Sequence, residues 1–265
     1  GNPTFSYTLN DGVKDGILVS PTIVDARTDI TTELLSEEGL TIDSSTDNIE
    51  MTITSKDGRK TKVLNEKNYE KDFFSEATNK VFCMTFMENA LRDPITNEIG
   101  KSIIFCVNQA HARKITEILN DIADKMFPNK YNSDFAVQIT SNEDYETSKT
   151  RVAVTVAMMT TGYDCSDIIN LGLMRPIFSP TDFIQMKGRG TRLHTFKYKD
   201  KKIKKDTFKI FDFFATCEYF EKKFQYDEKL TLPKYIERPA GGTIDPTVID
   251  KIVNTGTDFL LTIEE

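Results

Sequence analysis

Five short apolar runs, at residues 102–107, 135–139, 152–156, 168–174 and 207–211, alternate with stretches of helical period, and this alternation constrains the fold more than any other feature. Strands joined through helices do not pair as hairpins; they line up in parallel, and a parallel sheet is covered on both faces. The clearest helix is 109–126, where Ala112, Ile115, Ile118, Leu119, Ile122 and Ala123 recur on one face. A second amphipathic helix is predicted over 66–91, with Phe74, Ala77, Val81, Met84 and Leu91 turned inward and Pro94 stopping it. With 38% apolar and 10% aromatic residues, a chain of 265 residues can fill such a core.

The flanks read differently. Asp11-Gly12 and Asp15-Gly16 are turn signals ahead of the apolar Ile17-Leu18-Val19 and the breaking Pro21, which predicts a short helix or turn feeding a strand. Residues 25–65 are polar and acidic, with one hairpin in which Met51-Thr52-Ile53-Thr54 turns at Asp57-Gly58 into Thr61-Lys62-Val63. Beyond Glu228, Pro233, Pro239, Gly241-Gly242 and Pro246 interrupt any long element. The expected organisation is a lead-in segment at 1–24, a β-rich insertion at 25–65, a main α/β unit at 66–225, and a linker or the start of a following domain at 226–265.

Cys83, Cys106, Cys165 and Cys217 are widely separated, so neither a Cys-x-x-Cys knuckle nor a disulfide framework is expected, and a reducing, cytoplasmic compartment fits best. No run approaches the ~20 apolar residues of a membrane span, and Gly1-Asn2-Pro3-Thr4 lacks the character of a signal peptide. That abrupt start reads as a fragment of something longer. A net charge of −7 argues against indiscriminate coating of nucleic acid. The sign reverses locally: from Lys187 to Lys209 there are ten Lys or Arg against Asp200 and Asp206. Such a run reads either as a solvated hairpin or as a surface facing phosphate.

Gln185-Met186-Lys187-Gly188-Arg189-Gly190-Thr191-Arg192 lies on or just past a helix that Ser179, Pro180 and Asp182 mark as starting there. Gln185, Arg189 and Arg192 stand at i, i+4 and i+7, one polar stripe if the helix continues. Gly188 and Gly190 end it early otherwise. Two guanidiniums held close together suit a polyphosphate, because each makes bidentate bonds and keeps its charge; the plainer reading is a glycine turn with solvated arginines. Upstream, Thr155 and then Thr160-Thr161-Gly162-Tyr163-Asp164 follow one buried strand and precede another, which predicts the carboxyl edge of the sheet. His111 and His194, the two histidines, read as structural, and no metal site is expected.

Thr-Thr-Gly-x-Asp followed by Gln-x-x-Gly-Arg-Gly-x-Arg resembles motifs V and VI of superfamily 2 helicases and translocases, and residues 102–112 resemble motif IV. The wording at 158–164, Met174-Arg175-Pro176 and 185–191 looks most like the motor (R) subunit of type I restriction enzymes. Asp15-Gly16-Ile17-Leu18-Val19, Phe211-Asp212-Phe213 and Glu218-Tyr219-Phe220 extend the likeness over about residues 5–225, with 25–65 unaccounted for. The resemblance implies a single RecA-like α/β domain, the second motor lobe, with a mostly parallel sheet flanked by helices. It implies that Arg189 and Arg192 contact the γ-phosphate, with Arg192 the principal finger and Gln185 positioning them. Gly162, Asp164 and Gly188 would couple nucleotide to DNA. Asn108, Thr140 and Thr155 would contact the DNA backbone.

ATP and Mg2+ would be held mainly by a first lobe that supplies the P-loop. In this chain Gly100-Lys101-Ser102 fails as a P-loop, because Ile95 stands where the leading glycine belongs and a strand follows. The expectation is therefore a lobe inactive alone, partnered by DNA, by a P-loop lobe of the same polypeptide, and by methyltransferase and specificity subunits, away from membranes. The alternative is a non-catalytic DNA-binding or partner-docking module that keeps the fold.

Overall fold

The computed structural model describes residues 8–27, 40–43, 50–54, 60–64, 76–139, 149–156, 165–175, 177, 180–214, 216–217 and 227–230. Its centre is a seven-stranded sheet built from β1 (Ser20–Asp25), β5 (Ser102–Phe105), β6 (Ala136–Gln138), β7 (Val152–Thr155), β8 (Asn170–Leu173), β11 (Thr207–Asp212) and β12 (Glu228–Lys229). The order across the sheet is β12-β1-β11-β8-β5-β7-β6, and every pairing is parallel. This is the parallel α/β sheet that the alternation of runs predicts, and the RecA-like architecture that the resemblance implies. β1 falls in the stretch read as a lead-in and β12 in the stretch read as a linker, so the packed unit takes in residues from both.

Alternation along the strands sorts side chains into two cores. Ile104, Val152, Val154 and Phe211 face helices α2 (Glu76–Asn89) and α3 (Gln109–Met126), with Phe82, Phe86, Met87, Ala112, Ile115 and Leu119. Ile103, Phe105, Ala153, Leu171, Leu173, Phe208 and Ile210 face the other way, onto Phe183 and Met186 of helix α4 (Pro180–Gly188). α3 matches the predicted span and buries one stripe. α2, described from Glu76, differs from the one-faced helix expected over 66–91 in that Val81 to Met87 are all buried. Its rings explain this, since Phe82 lies 4.4 Å from Phe213 and 5.9 Å from Phe214, and Phe86 lies 5.4 Å from Phe211. Phe74, and the side chain of Ala77, lie outside the described residues.

The turn signals before β1 build helix α1 (Leu9–Lys14), closed at its start by a reciprocal Thr8–Asp11 capping box. Gly16 takes the left-handed φ of 72° that ends the turn. Pro21 sits inside β1 rather than breaking it. Ile23, of the same parity, points its N–H away from β11, to Asp227 Oδ2. β12 pairs only with Val24 and Asp25, so the N–H that Pro21 lacks faces no strand.

The predicted hairpin forms as β3 (Glu50–Thr54) and β4 (Lys60–Leu64), and a strand the sequence did not announce, β2 (Leu40–Asp43), completes a three-stranded antiparallel sheet. The basic run is also a hairpin: β9 (Thr195–Tyr198) pairs antiparallel with β10 (Lys201–Lys204). Among the described residues no helix is long and apolar enough to cross a membrane.

Candidate nucleotide-response site

The arginine motif sits where a helix is brought to a stop. α4 runs from Pro180 to Gly188 with Asp182 in its first turn, and the last turn closes through Arg189 N–H to Met186 O and Gly190 N–H to Lys187 O. Gln185 is therefore on the helix and exposed, whereas Arg189 is in the turn and Arg192 beyond it. The i, i+4, i+7 stripe does not form, because the helical spacing ends at Gly188.

The two glycines of Gly-Arg-Gly have different roles. A Cβ at Gly188 would meet nothing within 4 Å, but one at Gly190 would stand 2.1 Å from Cδ2 of buried Phe208. Gly190 thus lets the turn lie flat on the β11 ring. Val19 N–H donates to Thr191 O at 2.7 Å, the Thr191 hydroxyl donates to Gly188 O at 2.9 Å, and Thr191 is buried. Arg189 and Arg192 are both half-buried on this fixed turn.

Val19 precedes β1, and the turn is held from below by groups that precede β8 and β11; the arginines therefore lie at the amino edge of the sheet. The carboxyl edge expected for the 155–164 segment holds for only one of its flanks. Thr155 ends β7 at the carboxyl edge, but Cys165 to Ile168 lead into β8 at the amino edge. The chain crosses from one edge to the other between two parallel strands, and a reading of strand order alone does not show where along that crossing each residue falls. Gly162, Asp164 and Thr140 lie outside the described residues.

The two described DNA-backbone positions, Asn108 and Thr155, are on the far edge from the arginines. Asn108 follows β5 and caps α3, its Oδ1 accepting the His111 N–H at 2.8 Å. Thr155 is buried, at 4% exposure. His111 is structural: its Nδ1 accepts the Val107 N–H, so Nε2 carries the proton donated to Asn79 Oδ1 at 3.1 Å. Burial, reinforced by Lys114, lowers its pKa to about 3.

A residue that the sequence hid within the basic run lies under the motif. Lys205 is buried, and its ammonium donates to Gly190 O at 2.6 Å, Ile168 O at 2.6 Å and Ser166 O at 3.3 Å. Burial brings its pKa down to about 8, with Arg192 adding to the fall and Asp167 and Cys165 opposing it. Beside it, burial opposes ionisation of Asp167, but bonds from the Cys165 thiol (2.7 Å) and Lys101 (2.9 Å) hold its carboxyl below the ordinary range. His194 Nδ1 meets the Ser166 hydroxyl at 2.9 Å, and burial lowers its pKa. The edge is thus a fixed cationic turn backed by charged groups that are themselves neutralised or hydrogen-bonded.

Comparison with known proteins finds relatives of one kind. The chain is 29% identical over 231 residues to the EcoKI type I restriction endonuclease subunit of Escherichia coli K12, and 25% identical over 231 residues to the EcoAI subunit of Escherichia coli. It is related to the endonuclease subunits of type I restriction enzymes. Those matches cover 80% and 83% of this chain but 18% and 26% of the relatives. The fold agrees: a fragment assigned as an HsdR subunit of a type I restriction enzyme from Vibrio vulnificus YJ016 superposes with a TM-score of 0.50 and 22% identity, over 86% of this chain and 39% of that one. No family model matches the chain.

Proposed function

We propose that this chain is the second motor lobe of an ATP-dependent DNA translocase of the type I restriction class, with Arg192 as its arginine finger and Arg189 beside it. The observation that carries the reading is the turn at Gly188–Arg192, which offers two cations from a backbone fixed to the sheet at Val19, Phe208 and Lys205. Both arginines are half-buried, a setting in which the fork is oriented before a polyphosphate arrives and its charge is screened less by solvent. They fit the phosphates of ATP; ATP, with Mg2+ held by a P-loop lobe, would supply the transferable phosphoryl group. The chain's own contribution is to neutralise charge developing on that group, with Gln185 exposed on the adjoining helix turn. DNA, a P-loop lobe, methyltransferase and specificity subunits are the proposed partners, in a cytoplasmic complex.

In a complete subunit, Arg192→Ala should lower DNA-stimulated ATP turnover by about 10³-fold or more, the worth of an arginine finger, with a smaller change in KM. Turnover near that of the wild type would remove the finger role.

One observation favours a second reading, a non-catalytic DNA-binding module. On the β9–β10 hairpin Lys197, Lys199, Lys201, Lys202 and Lys204 are all exposed, beside an exposed Tyr198. If that hairpin alone defines the function, the isolated chain binds duplex DNA with a steep salt dependence, and changing the lysines to Ala flattens it.

A further inference from the structure

We infer that Lys205 is a positioning residue for the arginine turn, clamping it to the end of the β7–β8 crossover so that the two move as one body. The inference rests on the motor reading for its link to turnover, and on geometry for the clamp itself. An ammonium has three N–H bonds, and the three carbonyls of Ser166, Ile168 and Gly190 can take all of them. The carbonyls come from two separate connections. Ser166 and Ile168 stand just after Asp164, at the amino-edge end of the crossover; Gly190 is the centre of the arginine turn. No neutral side chain supplies three donors from one atom, and three carbonyls converging on one nitrogen suit an ammonium better than a planar guanidinium.

The burial of this charge is consistent with a positional role, because the site holds a cation where its largest electrostatic effect is unfavourable. Asp167 and Cys165 on the crossover side support the charge; Arg192 on the turn side and, more distantly, His194 share the neighbourhood. With its pKa near 8, Lys205 loses a proton in mildly alkaline solution, and a neutral amine has two N–H bonds for three carbonyls. The direction of the stability change separates this from unfolding. The folded state releases the proton at lower pH than the unfolded chain, so between about 8 and the ordinary lysine value stability rises with pH from this group. A clamp that loosens thus costs turnover, not stability.

The test uses Lys205→Met and Lys205→Arg, read by amide exchange, turnover and the pH profile of kcat. In this chain, Lys205→Met should raise amide exchange at 189–193 by about tenfold or more, with α2 and α3 little changed, as expected when charge-assisted bonds holding one segment are lost. In the complete subunit it should lower kcat by about tenfold or more with KM within about threefold, the signature of a lost transition-state contact. Lys205→Arg, which keeps the charge, should retain part of the turnover and move the alkaline fall in kcat from near 8 to higher pH. Unchanged exchange at 189–193 together with kcat within about twofold of wild type overturns the inference. Should Lys205→Met not fold, an alkaline limb that is identical in wild type and Lys205→Arg overturns it instead. Arg192→Ala measured alongside separates the two levels: near-normal turnover there defeats the motor reading, and the exchange result then decides the clamp alone.

Discussion

The paired glycines of the arginine motif look interchangeable in the sequence, and the structure predicts that they are not. At Gly190 an added methyl would stand 2.1, 2.3 and 2.7 Å from three carbons of the Phe208 ring. Carbons in contact normally sit about 3.5–4.0 Å apart, so the overlap exceeds an ångström. Phe208 is fully buried in β11, between β1 and β8, and has no open side to turn into. The turn must therefore lift, which strains its bonds to Val19 and Lys205. Overpacking of this kind costs about 1–3 kcal/mol, and the bonds lost put Gly190→Ala at the upper end. Gly188 is the last helical residue, has no neighbour within 4 Å of the added methyl, and has no left-handed φ. There the change should stabilise, by up to about 1 kcal/mol, since alanine loses less backbone entropy than glycine. Urea unfolding of the isolated chain, followed by far-ultraviolet circular dichroism, reads both. A Gly190→Ala protein within about 0.5 kcal/mol of wild type, or one more stable than Gly188→Ala, would refute the packing argument.

His111 is held neutral with a pKa of about 3, well below its ordinary value. The unfolded chain therefore takes up the proton first, and stability is lost as pH falls from about 6.5 toward 3, by at most about 1.4 kcal/mol per pH unit. His111→Gln should be less stable at pH 7 yet show a flatter acid limb in urea titrations; an equally steep limb would mean the proton goes elsewhere. Asn170, fully buried, accepts the Leu91 N–H at 2.8 Å and donates to Leu91 O at 3.0 Å and Ser102 Oγ at 3.2 Å. Asn170→Ala leaves the Leu91 N–H unsatisfied, while Leu91 O keeps the Gly100 N–H at 3.0 Å, and should cost about 1–3 kcal/mol in the same unfolding assay; a change below that range would show that water replaces the amide.

The sheet was legible because buried parallel strands leave apolar runs, and α3 because its stripe is unbroken from Ala112 to Ala123. α2 was legible only in part. A helix whose residues are buried on nearly every side has no polar face to give it a period, so its predicted stripe was one of several that the apolar residues would satisfy. β2 lay in polar sequence, where Leu40 and Ile42 give an alternation only four residues long. At the site, the glycine turn was visible but not the difference between Gly188 and Gly190, which depends on Phe208, distant in sequence. Asn108 shows a different limit. A polar residue between a strand and a helix has the same signature whether it caps the helix or faces a ligand, and here it caps. Lys205 was lost among ten cations, five of them exposed on the hairpin; composition records the charge and not the seat.

The polarity of the sheet limits how any signal passes from the arginines to the other edge. β5 and β7 are four residues long, so the two edges are roughly 13 Å apart along the strands. On the proposed reading, nucleotide acts at the amino edge and DNA at the carboxyl edge. The strands between them are close-packed on both faces and deform little. Two connections beside the arginines change edge: the crossover that leaves Thr155 and arrives at Cys165, and α4, which ends in the turn. Lys205 bonds the amino-edge ends of both, through Ser166 and Ile168 on one side and Gly190 on the other. A displacement of Arg192 that moves the Gly190 carbonyl therefore pulls on the crossover through the same ammonium, and the crossover's other end is Thr155. Cutting the clamp should uncouple the edges while leaving each intact.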